Sequence, residues 1–220
     1  MQLVILGGGG FGREVHDVVE AINETAAASG APTIDFLGFI DNHVPDPALL
    51  LERGTVYLGG DEILDDLPRS TRYVIAIGDG RVRRALDERA TELGLEPAVL
   101  VHPSAVLGKH LITLGPGTIV CAHVSMTTNI RVGRHGHINL NVTIGHEATL
   151  GDYVTINPGA TISGNVVLED EVMIGTGAAV IQGKSVGAGS VIGAGASVVR
   201  DVPGGVTAVG VPAKVLGVRI

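Results

Sequence analysis

From Leu114 onward the apolar positions follow a period of six. Leu114, Val120, Met126, Val132, Ile138, Ile144, Leu150, Ile156, Ile162, Leu168, Ile174, Val180, Val186, Ile192 and Val198 are all aliphatic. Gly follows directly in several units, as in Ile144-Gly145, Leu150-Gly151, Ile174-Gly175, Val186-Gly187 and Ile192-Gly193, and the fifth position is mostly Val or Ala. This is the signature of a parallel β-helix built from hexapeptide repeats. Each unit supplies one short strand and one corner, and the repeating aliphatic residue fills the interior. Gly and Asn suit corners that need unusual φ values. Three units close one coil, and coils stack at the ~4.8 Å spacing of paired strands. The pattern predicts about five coils, or six if the degenerate segment Pro103 to Thr113 joins. A β-sandwich would instead alternate with period two. The tail after Val198 is expected to fold back over the last coil.

The N-terminal half has another rhythm. Leu3 to Leu6 reads as a strand, followed by a glycine loop and a helical stretch from Arg13 to about Ala28. Phe36 to Ile40 is a second strand, Tyr73 to Ile77 a third, and Arg81 to Leu93 a second helical stretch. Strands alternating with helices predict a parallel sheet covered by helices. The expected fold is thus an α/β Rossmann-like half domain over residues 1–101 and a β-helix with its tail over 102–220. The N-terminal domain has room for one mononucleotide-binding half and no more.

Composition narrows the function. Net charge is −8, which supplies no basic face for nucleic acid and no attraction to anionic lipid. A single cysteine, Cys121, leaves no internal disulfide or thiolate metal cage. The N-terminus lacks the basic region of a signal peptide. The stretch from Leu111 to Ile130 lacks full charges, but Pro, Gly, Thr and a His interrupt it, so no membrane span is expected and the chain reads as cytoplasmic.

Three features carry chemistry. His146-Glu147 occupies a corner of the repeat, where an imidazole with a neighbouring carboxylate is suited to general-base work. No nucleophile with an adjacent base stands out, which favours direct transfer to a bound acceptor. Gly7, Gly9 and Gly12 satisfy G-x-G-x-x-G between a strand and a helix, the setting in which backbone N–H groups cradle phosphate. Asp41 ends the second strand about where ribose-contacting acids occur, and Gly78-Asp79 ends a strand at the same sheet edge. No histidine of the β-helix has a His partner at the stacking interval of 18 residues, so no metal is expected.

Together these motifs resemble bacterial sugar acyltransferases of the sialic-acid O-acetyltransferase-like family, especially the N-acetyltransferases of nucleotide-linked 4-amino-6-deoxy sugars. The resemblance runs from the Gly-rich loop through Ile77-Gly78-Asp79 and Gly145-His146-Glu147 to Gly210-Val211-Pro212-Ala213-Lys214. It implies a left-handed β-helix, against the usual crossover hand, and a homotrimer with sites between neighbouring helices. It further implies acetyl-CoA as co-substrate and a nucleotide-linked amino sugar as acceptor. By this likeness His146 is the general base, Glu147 raises its basicity, and Asn139 orients base or substrate. Gly10, Phe11, Gly12, Asp41, Asn42 and Gly78 match positions that contact the sugar nucleotide. Thr176 and Ala194 match positions that hold the pantetheine arm of coenzyme A. Thr155 stands where many relatives carry a His that touches acetyl-CoA, and its hydroxyl is expected to donate to the thioester carbonyl instead.

Three other readings stay open on the residues alone. One is an O-acetyltransferase acting on a sialic-acid-type hydroxyl, and another is a non-catalytic β-helical binding protein. The third, an NAD oxidoreductase, lacks its second mononucleotide half.

Overall fold

Five short strands form a parallel sheet in the order β3-β2-β1-β4-β5, with β1 (Gln2–Leu6) flanked by β2 (Asp35–Ile40) and β4 (Arg72–Ile75) and edged by β3 (Tyr57–Gly59) and β5 (Glu96–Pro97). The structure, a computed structural model, describes residues 1–218. Helices α1 (Gly10–Ser29), α2 (Pro47–Glu52) and α3 (Gly80–Glu92) connect the strands with a 3-10 turn over Asp61–Asp66. The chain runs outward from β1 to β3, then crosses to the other side of β1 at β4. The carboxyl ends of β1 and β4 therefore face the crevice where such sheets take ligands.

β1 is apolar on every residue from Leu3 to Leu6 because both its faces are covered. Leu3 and Ile5 pack with Val15, Val18 and Val19 of α1. Val4 and Leu6 pack on the opposite face with Leu64 and Ala90. The α1 layer continues into Leu100, Ile119 and Cys121, so the sheet domain sits directly on the β-helix. Helix α1 starts three residues earlier than expected, at Gly10, and α2, β3, the 3-10 turn and β5 carried no readable period.

From Leu100 the chain forms two- and three-residue strands in three parallel stacks, closing the left-handed β-helix. The register advances by 18 residues per coil, as in His137↔Thr155 and Thr155↔Met173. Fourteen of the fifteen repeating aliphatics are buried, and Leu114 packs partly against the same core. The degenerate segment does join. Val106 pairs with Ser125, an offset of 19, while Ile112 pairs with Ile130, an offset of 18, so one extra residue is absorbed between them. The tail folds back as expected: Val206–Val209 extends one stack and Lys214–Val218 returns antiparallel to it. No helix among the described residues is long and apolar enough to cross a membrane.

Left-handed φ recurs every sixth residue from Leu111 to Gly195, through His123, Asn129, His135, Asn141, Glu147, Tyr153, Asn165 and Glu171 as well as glycines. This corrects the reason for Gly after each aliphatic. Those glycines lie two residues before the left-handed corner. At Gly175 a Cβ would sit 2.5 Å from the Ala194 nitrogen of the next coil. They are small because the coils touch there, and the corner itself accepts larger residues at a cost of about 1–2 kcal/mol each.

Candidate active site

The glycine loop is shaped at both ends by contact. Gly7 has φ of +104°, and a Cβ on Gly12 would lie 1.9 Å from the Gly7 carbonyl oxygen. Between them, Gly9 and Gly10 face open space. Helix α1 begins at Gly10 without a side-chain cap, so its first N–H groups are available to an anion. Asp41 does not hang free. One carboxylate oxygen accepts from the Gly8 N–H and the other from the His43 N–H, each at 2.8 Å. Asn42 exchanges hydrogen bonds with Asp61. Gly7, Asp41, Asn42, Asp61, Ile77 and Val82 line a cleft of ≈ 360 Å³ at the carboxyl ends of the central strands.

A buried polar hub joins this domain to the β-helix. Arg83 of α3 is wholly inaccessible, and it donates to the carbonyls of Ile77, Gly78, His135 and Tyr153 and to Thr155 Oγ1. Burial pulls its guanidinium down to about 10, still protonated at neutrality. One turn later Asp87 accepts from His135, Arg134, Tyr73 and Tyr153. Although burial opposes ionisation, these bonds, led by His135 and Arg134, hold its carboxyl far below the usual range. Tyr73, His135 and Tyr153 form a stack with centroids 5.8 Å apart at each step.

The hub supports a second cleft, of ≈ 240 Å³, lined by Phe11, Glu14, Gly78, His137, Asn139, Thr155, Asn157 and Pro158. Of the expected site residues, Phe11, Gly78, Asn139 and Thr155 are thus brought together in one cleft. Thr155 donates to the Gly78 carbonyl at 3.1 Å and accepts from Arg83. Its one hydroxyl proton is committed within the chain. His137 donates through Nε2 to the Ile75 carbonyl, and complete burial keeps its ring neutral. Asn139 opens the corner after the strand His137–Ile138, with Cys121 Sγ 4.0 Å from its Oδ1. Burial pushes the Cys121 thiol up to about 12, so it supplies no thiolate near neutrality. Two and three coils further along this edge, Thr176 and Ala194 are exposed and stacked, the Thr176 carbonyl accepting from Gly195 at 2.8 Å.

His146 lies on the next edge of the prism, after the strand Thr143–Ile144. Its Nδ1 is hydrogen-bonded to Glu147, which leaves Nε2 as the ring nitrogen not engaged by Glu147 on a half-exposed ring. The other Glu147 oxygen accepts from Asn129 Nδ2 at 3.1 Å. The bonds from His146 and Asn129 hold the Glu147 carboxyl below its ordinary range. Above the ring sits Gly164, where a Cβ would lie 2.5 Å from His146 Cε1. Asn139 and His146 therefore occupy different corners and do not meet within one chain.

Arg83, Asp87, Asn129 and Gly164 carry no signal of their own in the sequence. The stacking interval reveals two of them: Asn129 lies 18 residues before Glu147, and Gly164 lies 18 after His146. The same interval pairs His135 with Tyr153, a stack that a search for His–His pairs passes over. His16, Asp17 and Glu20 of α1 lie close enough to share an ion, but Asp17 is already paired with Arg53.

Residues 2–90 match the PglD N-terminal domain family. The GDP-perosamine N-acetyltransferase of Escherichia coli O157:H7 is 32% identical over 82 residues, which cover 37% of this chain and 37% of that relative's length. Whole-chain likeness comes from solved structures. PerB from Caulobacter crescentus, in complex with CoA and GDP-perosamine, is 34% identical with a TM-score of 0.82, over 99% of this chain and 98% of that one. The acetyltransferase domain of PglB from Neisseria gonorrhoeae FA1090, in complex with acetyl coenzyme A, is 33% identical with a TM-score of 0.83, over 98% of each.

Proposed function

The chain belongs to the family of nucleotide 4-amino-sugar N-acetyltransferases, and on that footing we propose that it moves the acetyl group of acetyl-CoA onto the 4-amine of a nucleotide-linked amino-deoxy sugar. The observation that carries the reading is the His146–Glu147 pair, held at a half-exposed corner with Nδ1 engaged by the carboxylate. In the proposed step the neutral amine attacks the thioester carbonyl and a C–N bond forms. His146 takes the amine proton through Nε2, and Glu147 stabilises the imidazolium. Backbone N–H groups at the corners steady the oxyanion. The intermediate then collapses, the C–S bond breaks, and the proton passes to the departing sulfur. The buried, protonated Cys121 has no part in this, in keeping with direct transfer.

We assign the first cleft to the nucleotide, with Asp41 and Asn42 in its wall, and its diphosphate to the start of α1 at Gly10, Phe11 and Gly12, where Phe11 leads on to the second cleft. Gly78 and Thr155 border the sugar and acyl end, Thr155 through the carbonyl it holds. Thr176 and Ala194 lie along the edge proposed for the pantetheine arm. That edge and the His146 edge are separate in one chain, so the reading requires a second copy. Three chains with parallel prism axes place the coenzyme edge of one against the His146 edge of the next, and the enzyme is a homotrimer. Acetyl-CoA and nucleotide sugars are made in the cytoplasm, and the reading assigns the enzyme there.

Thiol release from acetyl-CoA, measured against UDP-, dTDP- and GDP-linked 4-amino sugars including GDP-perosamine, tests the acceptor class. The expected result is turnover with one of them and a product carrying one added acetyl group. Acetylation of a sialic-acid-type hydroxyl with none of the amines used would contradict it.

A further inference from the structure

We infer that Asn129, one coil below the base, is a positioning residue for His146, acting through Glu147. The inference rests on His146 being the general base. Asn129 and Glu147 hold the same corner position in successive coils, with φ of 56° and 57°, so their side chains stack along the prism edge. Asn129 Nδ2 donates to Glu147 Oε1 at 3.1 Å, while the second oxygen takes His146 Nδ1. The amide is itself oriented. The carboxylate of Glu147 only accepts, so the amide turns its nitrogen to it. Thr128 Oγ1 lies 3.3 Å from the amide oxygen and 3.2 Å from the His110 carbonyl, its one proton shared between these two acceptors. With both oxygens engaged, the carboxylate keeps one plane, and that plane sets the direction of Nε2.

The surroundings isolate this pair. At the same corner the coil below presents Thr127, Thr128 and Asn129, and the coil above presents Ser163, Gly164 and Asn165. None of these titrates. The next titratable groups along the edge are Lys109 and His110 below and Lys184 above, two coils away. Glu147 is thus the charge that His146 meets, and Asn129 is the group that orients it.

Two substitutions separate the chemistry from the backbone. Asn129→Gly deletes the amide yet is at ease with left-handed φ. Asn129→Asp keeps the shape, removes the donor and adds a negative charge. Both are compared with wild type and His146→Ala by carboxyl ¹³C titration of Glu147, and by the pH profile of kcat/KM with acetyl-CoA and GDP-perosamine. In Asn129→Gly, kcat is expected to fall about tenfold with KM for acetyl-CoA unchanged, as for loss of one charge-assisted hydrogen bond. The Glu147 midpoint rises and the acid limb of the profile moves up with it, because a bond favouring the ionised form is gone. Asn129→Asp moves both further in the same direction. A residue that merely supports the corner would change thermal stability and leave midpoint and limb in place. That pattern in Asn129→Gly overturns the inference, and the Glu147 titration decides it even if GDP-perosamine is not the acceptor. Sustained turnover in His146→Ala sinks the parent reading instead, whereas a dead His146→Ala beside an unmoved Asn129→Gly sinks this inference alone.

Discussion

At the scale of single residues, His146, the proposed base, is defined by what flanks it. Glu147 fixes Nδ1 from the side, and Gly164 leaves the imidazole its place on the coil above. A methyl at Gly164 meets the His146 ring before any backbone atom, so the fold yields easily and the ring does not stay put. Gly164→Ala is therefore expected to lower kcat by roughly 10- to 100-fold, as misplacement by about an ångström does, with an unchanged melting temperature. Steady-state kinetics beside a thermal melt check both halves. The contrast between residues found and missed follows from the kind of signal. His146-Glu147 is legible because two reactive side chains adjoin in sequence. Gly164 and Asn129 act across the coil interval, and only counting in steps of 18 exposes them.

At the scale of elements, the β-helix was almost wholly legible and the sheet domain only partly so. One buried aliphatic per hexapeptide is a period no other element shares, and it fixed the stack from Val120 to Val198. Short pieces such as α2 and β5 are held by neighbours and carry no period of their own. The two classes of glycine make a stability prediction. Gly177 has φ of +66° with open space at its Cβ, so Gly177→Ala costs about 1 kcal/mol of backbone strain. Gly175 has no positive φ, but its Cβ would lie 2.5 Å from the Ala194 backbone, so Gly175→Ala must push neighbouring coils apart. It is expected to cost more than Gly177→Ala, by about 1–3 kcal/mol, as overpacking does. Equilibrium denaturation of the two variants compares them directly.

Helix α3 makes the other element-scale prediction. Asp87 is buried beneath the part-exposed Arg134 and among His135, Tyr73 and Tyr153, so Asp87→Asn takes away the carboxylate that these four donors share and is expected to cost about 1–3 kcal/mol. The folded carboxyl titrates below its unfolded value, so its stabilisation is present above the unfolded range near ~3.9 and is lost as pH falls through and below it. His135, lowered by burial despite Asp87, also disfavours the folded state once protonated, so it pushes the same way. Melting temperature against pH should fall on acidification in wild type and fall less steeply in Asp87→Asn. This hub was invisible in sequence because its members are spread from Tyr73 to Tyr153 and meet only when the two domains dock.

At the scale of the whole molecule, the proposal divides one active site between two chains. Asn139, Thr176 and Ala194 occupy one prism edge and His146 the next. Co-expressed His146→Ala and Asn139→Ala chains should therefore restore activity that neither variant has alone. Random mixing in a cyclic trimer gives about a quarter of the interfaces two intact edges. No recovery in purified mixed trimers would place the site within a single chain.

The most direct measurement is acetyl transfer from acetyl-CoA to the accepted 4-amino sugar by wild type and His146→Ala, followed as thiol release with both proteins shown to be folded. The account predicts that the variant binds both substrates and loses most of kcat, by about 100-fold or more, since a general base contributes about that much. A variant that turns over at the wild-type rate would contradict it.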